Sequence, residues 1–214
     1  MEGYRSSELY VNFTNSAAFG STGWNFIEGN RSNSKMSKDY PTFDEKFSIA
    51  ILEEGVRALL LGGVACNIYG STRVSEDTDW WLDSTIGTDE WVRVLIKLCK
   101  RTGEACDVIR LNGLKKIADH PKDTTDPQFV SKIKEVIVED GVIRLQQNKG
   151  KADLFFAPNN LEDFETAWKR SEPWDGALRV LCVKDLILTK QGTGRKRDTE
   201  DIAFLNSVKK PTSS

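Results

Sequence analysis

Two carboxylates, Asp77 and Asp79, stand two residues apart in Asp77-Thr78-Asp79, at the head of the run Thr78-Asp79-Trp80-Trp81-Leu82. In a strand that spacing puts both side chains on one face. Like charges so close repel, and a hard divalent cation compensates them best. Mg2+ (or Mn2+) takes one or two carboxylates together with phosphate oxygens of a substrate. In a two-metal arrangement the ions stand roughly 3.5–4 Å apart and stabilise both the attacking and leaving oxygens of an in-line displacement. A third acid is then expected on a neighbouring strand. Asp153, the lone acid opening the apolar run Lys151-Ala152-Asp153-Leu154-Phe155-Phe156, is the candidate. Upstream, Gly62-Gly63 follows one apolar run and precedes another. Backbone N–H groups there, with no side chain in the way, suit the phosphates of a nucleotide.

These residues need a scaffold. A helix is expected over 43–54, with Gly55 as its C-terminal cap, and then a buried strand over 56–61. The glycine pair leads into one or two helical turns and Gly70-Ser71-Thr72-Arg73, and a second strand covers 78–82. Trp91, Val92, Leu95, Ile96 and Cys99 recur at helical spacing and predict a helix over 89–102. Glu139-Asp140-Gly141, set between apolar-rich 133–138 and 142–145, reads as a β-hairpin turn. A strand over 151–157 follows, then a helix over 161–170, a strand over 178–182, a helix opening near Lys184 and a last helix over 197–208. Residues 112–126 read as a surface excursion. Residues 1–42, rich in Ser, Asn and Gly without a period of 2 or 3.6, read as a flexible tail ahead of one domain over 43–210. The fold class expected is α/β (α+β), a mixed sheet flanked by helices.

The stretch Leu61-Gly62-Gly63-Val64-Ala65, continuing to Gly70-Ser71-Thr72-Arg73-Val74-Ser75-Glu76-Asp77-Thr78-Asp79, resembles the nucleotidyltransferases of the polymerase β-like superfamily. It is most similar to their minimal and abortive-infection-toxin types. Their first motif reads Gly-Gly-x-Ala, then Gly, then Arg-x-Thr-x-Asp-x-Asp, and here Ser75 replaces the Thr and keeps its hydroxyl. Val183-Lys184-Asp185-Leu186-Ile187-Leu188-Thr189-Lys190, followed by Gly194-Arg195-Lys196-Arg197-Asp198-Thr199-Glu200-Asp201-Ile202, resembles a later motif of the same families. The resemblance implies a nucleotidyltransferase fold that moves a nucleoside monophosphate from a nucleoside triphosphate to an acceptor, releasing pyrophosphate. It also implies that Asp77, Asp79 and Asp153 hold metal, that Gly62, Gly63, Arg73 and Ser75 lie at the nucleotide, and that Lys190 and Arg195 reach its phosphates. The alternative is a nucleotide- or partner-binding domain of the same fold without catalysis, to be told apart by whether Asp153 converges on the acid pair.

Each residue also has a structural reading. Arg73 is expected to orient its loop by pairing with an acid rather than to touch substrate. Lys190 and Arg195 are open between phosphate contact and pairing with Asp198, while Asp198 and Asp201, three apart on one helix face, are expected to brace basic residues. Trp81 shares the face of Asp77 and Asp79. It is expected to be a core residue, with a stacking floor for a base or acceptor ring as the alternative.

The chain has 214 residues, 39% hydrophobic and 29% charged, an ordinary globular balance. Its formal net charge of −2 shows no basic excess and leans against a long nucleic acid partner. The acceptor stays open between a small molecule, the 3′ end of a tRNA and a protein side chain. Four scattered cysteines and one histidine argue against a zinc site or a disulfide framework. No apolar run is long enough to span a bilayer and the first residues lack a signal-peptide core, so a cytoplasmic protein without membrane partners is expected.

Overall fold

The computed structural model describes residues 43–102, 107–118, 127–147 and 150–208. The proposed tail over 1–42 and His120 lie outside them. Helix α1 (Phe43–Glu53) ends where Gly55 takes a φ of 63°, and strand β1 (Ala58–Leu61) follows. Next come the short helix α2 (Gly62–Ile68), β2 (Thr78–Leu82) and α3 (Thr88–Arg101). Strand β3 (Asp107–Arg110), β4 (Lys115–Ala118), α4 (Pro127–Asp140), β5 (Val142–Gln147) and β6 (Gly150–Phe155) form the middle of the chain. The last part is α5 (Phe164–Arg170), the two-residue strands β7 (Glu172–Pro173) and β8 (Arg179–Val180), α6 (Val183–Lys190) and α7 (Lys196–Ser207).

Among the described residues eight strands join one mixed sheet in the order β4-β3-β5-β6-β2-β1-β8-β7. The pairs β2–β6 and β1–β8 are parallel and the others antiparallel. This is the mixed α/β architecture expected from the alternation of apolar runs and helical periods.

Burial follows position in the sheet. Every residue of β1 is buried, as befits a strand covered on both faces. In β5 the buried residues alternate, Ile143 and Leu145 inward, so Val142, Arg144 and Gln146 share a face that is only half-covered. Helix α3 packs against both α1 and α4, with α1 against β6 and α4 against β5, while α2 lies on β1 and β2 and α6 packs on α7. The core runs through Trp80, Leu60, Leu154, Ile143 and Trp91, all fully buried. Among the described residues no helix is long and apolar enough to cross a membrane.

Two expectations are corrected. The turn placed at Glu139-Asp140-Gly141 is a helix end. Phe129, Ile133, Val136 and Ile137 are the buried positions of α4, spaced as one helical face, and Gly141, with φ 68°, stops the helix before β5 begins. The hairpin strands are instead β5 and β6, registered from Val142 opposite Phe155 to Gln147 opposite Gly150. The surface excursion at 112–126 is in part an edge of the sheet. Asn112–Leu114 forms a short 3-10 turn and β4 pairs with β3, while residues 119–126 lie outside the described residues.

Candidate functional site

Parallel pairing of β2 and β6 sets Asp79 directly beside Asp153, and antiparallel pairing of β5 and β6 sets Asp153 directly beside Arg144. Residues paired across a ladder point to the same face. Arg144, Asp153 and Asp79 therefore form a row across three strands, which Leu61, opposite Asp79 on β1, extends to the glycine pair. Asp77 precedes β2 on the same side. The third acid thus converges on the pair.

Its carboxylate is already engaged. Arg144 donates from Nε to Asp153 Oδ1 at 2.6 Å and from Nη2 to Oδ2 at 2.8 Å, and the same Nη2 donates to Asp77 Oδ2 at 3.0 Å. The Arg144 side chain is only 14% exposed. Among the described residues no group of three acidic, histidine or cysteine side chains is arranged to enclose a metal ion. One guanidinium spans two of the three carboxylates.

Charge in the cluster is undercompensated. Burial, then the neighbouring Asp77 and Asp153, push the Asp79 carboxyl up to about 7, although Lys190 and Arg144 pull the other way. Burial also raises Asp153, with Arg144 opposing it, and the bond to Asp153 raises Arg144 in turn. All-oxygen anionic donors under this strain match the preference of a hard divalent cation. Asp77, which keeps Oδ1 clear of Arg144, and Asp79 fit such an ion.

Gly62 and Gly63 are required by close approach. Gly62 has a φ of 70°, and a Cβ there would lie 1.8 Å from Asp79 Oδ2. At Gly63 a Cβ would lie 2.3 Å from Arg73 Nη2 and 2.4 Å from Ser75 Oγ. The glycine turn is therefore seated against the acid cluster on one side and against Arg73 and Ser75 on the other. Ser75 Oγ donates to the Asp77 carbonyl at 3.1 Å and fixes the backbone that presents that carboxylate.

Behind the turn, α6 and α7 supply a polar network. Arg73 Nε stands 2.8 Å from Asp201 Oδ1, the acid pairing expected of it. Lys190, 6% exposed, donates to Asp201 Oδ2 at 2.7 Å and lies 3.5 Å from Asp198 Oδ1. Arg195 Nε and Thr193 Oγ1 donate to Asp198 Oδ2 at 2.5 and 2.6 Å. Burial would raise Asp198, but these two bonds, with the charges of Arg195 and Lys190, hold it below the usual carboxylate range. Asp198 and Asp201 thus brace cations. Lys190 is oriented by both and carries its charge close enough to act on Asp79.

Trp81 is a core residue. It is 2% exposed, donates from Nε1 to the Phe156 carbonyl at 3.1 Å and meets Phe164 edge to face. One edge borders an open cavity of about 280 Å3 with Phe156, Leu161 and Phe164, and none of Asp77, Asp79 or Asp153 lines it. Cys66 is fully buried and its thiol is pushed up to about 11, chiefly by burial, which suits packing and not nucleophilic chemistry.

Arg144 is the residue that reading the sequence missed. Its signal was present, since a lone cation in Ile143-Arg144-Leu145 faces the lone acid of the next strand. The comparisons with known proteins return no matching family model and no matching curated protein. What fold and site define is a mixed α/β domain with an acid cluster at the edge of a glycine turn.

Proposed function

We propose that this protein is a metal-dependent nucleotidyltransferase, which moves a nucleoside monophosphate from a nucleoside triphosphate to an acceptor and releases pyrophosphate. The observation that carries this reading is the register that brings Asp153 beside Asp79 while Gly62 touches the Asp79 carboxylate. Two halves of a phosphoryl-transfer site, anionic metal donors and a glycine turn, are thereby contiguous.

Asp77 and Asp79 would hold Mg2+, and when bound the ion would supply Lewis-acid stabilisation of charge on the triphosphate. The chain's own residues do the rest. An acceptor oxygen attacks the α-phosphorus, the bond from that phosphorus to the bridging oxygen breaks, and pyrophosphate leaves with the electron pair. Asp153, whose oxygens keep lone pairs beyond those used by Arg144, receives the acceptor's proton. Lys190, held rigid by Asp201 and Asp198, opposes the charge that grows on the departing pyrophosphate. Gly62 and Gly63 approach the phosphates, and Arg73 and Ser75 hold that turn in place.

One observation favours a second reading, a domain that binds nucleotide without turnover: Arg144 already neutralises Asp153. Incubation with each labelled nucleoside triphosphate and Mg2+ separates the two. Pyrophosphate release that is lost in Asp79→Asn supports the transferase, whereas Mg2+-dependent binding with no release supports the binding domain. Nucleotide affinity that is indifferent to Mg2+ in both wild type and Asp79→Asn sinks both.

A further inference from the structure

We infer that Arg144 takes the place of a second divalent cation, so that the site works with one metal ion per chain. This rests on the transferase reading and refines it. A second ion would have to bridge Asp153 to the acid pair, and the Arg144 guanidinium makes that bridge, bonding both oxygens of Asp153 and one of Asp77. Its planar fork matches a carboxylate bidentately, the strongest of such pairings.

Position and charge both keep it there. The β5–β6 ladder fixes Arg144 opposite Asp153, so the side chain needs no reach to make the pair. A divalent ion entering between them would meet the guanidinium within a few ångströms, at a repulsion that low-dielectric surroundings enlarge. With Arg144 counted, the three carboxylates and a single divalent ion are already neutral. Lys190 lies in the neighbouring network, where it, Arg73 and Arg195 are three cations to the two acids Asp198 and Asp201, and the positive charge left over further disfavours a second divalent ion. The remaining ion falls to Asp77 and Asp79.

The test is a count of bound Mn2+, by electron paramagnetic resonance and equilibrium dialysis. It uses the full chain saturated with a mixture of the four α,β-methylene nucleoside triphosphates, in which the bond that would break is replaced. Wild type should hold one Mn2+ and Arg144→Gln two, because Asp153 is then free to bind. Arg144→Gln combined with Asp153→Asn should return the count to one. Arg144→Gln should also gain more in melting temperature from Mn2+ than wild type does. Two ions on wild type, or one on a folded Arg144→Gln, would overturn the inference and leave the transferase reading standing. No ion on wild type would remove the transferase reading itself. Should Arg144→Gln fail to fold, the wild-type count decides alone.

Discussion

Asp79 offers the most direct physical test, because its ionisation opposes folding. Its carboxyl titrates at about 7 in the folded protein against a reference of 3.8, with burial as the first cause and Asp77 and Asp153 as the next. A folded-state pKa raised above the unfolded value means that folding takes up a proton. The stability tied to that proton is fully present below the reference value and is lost as pH rises through the folded one. Each tenfold change in proton affinity is worth about 1.4 kcal/mol, so the ionised form costs at most about 4 kcal/mol, and about 2 once local relaxation is allowed.

Asp79→Asn keeps the shape and removes the ionisation. Urea denaturation of both proteins without divalent ions, from about pH 3.5 to about pH 8.5, should give similar stabilities only at the acid end, below the reference value of 3.8. The variant should become about 2–4 kcal/mol more stable than wild type at the alkaline end. Added Mg2+ at pH 8.5 should narrow that difference by stabilising wild type alone. Two stability curves that run parallel over the whole range would refute the claim that Asp79 is strained by its neighbours.

Gly62→Ala forces a Cβ to within 1.8 Å of Asp79 Oδ2 at a left-handed backbone. It should cost about 2–4 kcal/mol in denaturation and abolish Mg2+-dependent nucleotide binding by calorimetry. Gly63→Ala, which meets only the ends of Arg73 and Ser75, should cost clearly less. Asp201→Ala strips a buried acid from both Lys190 and Arg73, so a loss of about 3–5 kcal/mol is expected. Arg195→Ala, at a side chain 63% exposed, should cost less than about 1 kcal/mol. Equal melting temperatures for Asp201→Ala and Arg195→Ala would contradict the bracing role given to Asp201.

Most of the site could be read from the sequence because its parts are local. Asp77 and Asp79 differ by one strand period, so their shared face follows from backbone geometry alone. Asp153 was identifiable as the one acid in an apolar run, and the strand assignment that placed it was sound. The bracing of basic residues by Asp198 and Asp201 was legible as one helix face. Lys190 and Arg195 were candidate partners of Asp198 from their nearness in the chain, whereas the pairing of Asp201 with Arg73, from a distant segment, was not legible.

Arg144 was lost through a single misplaced turn. Residues 133–138 are rich in Ile and Val, and Glu139-Asp140-Gly141 has turn chemistry, so the local signal favoured a hairpin there. Only by extending the window back to Phe129 does the helical period of α4 emerge, because Phe129, Ile133, Val136 and Ile137 make one face and Val138 is left 71% exposed. With the turn at Gly141, the hairpin partner of residues 142–145 is 133–138 and not the strand over 151–157. Moving the turn to follow Gln147 pairs β5 with β6 and puts Arg144 opposite Asp153. The charge state of the acid cluster thus hangs on strand register, which no single motif in the chain encodes.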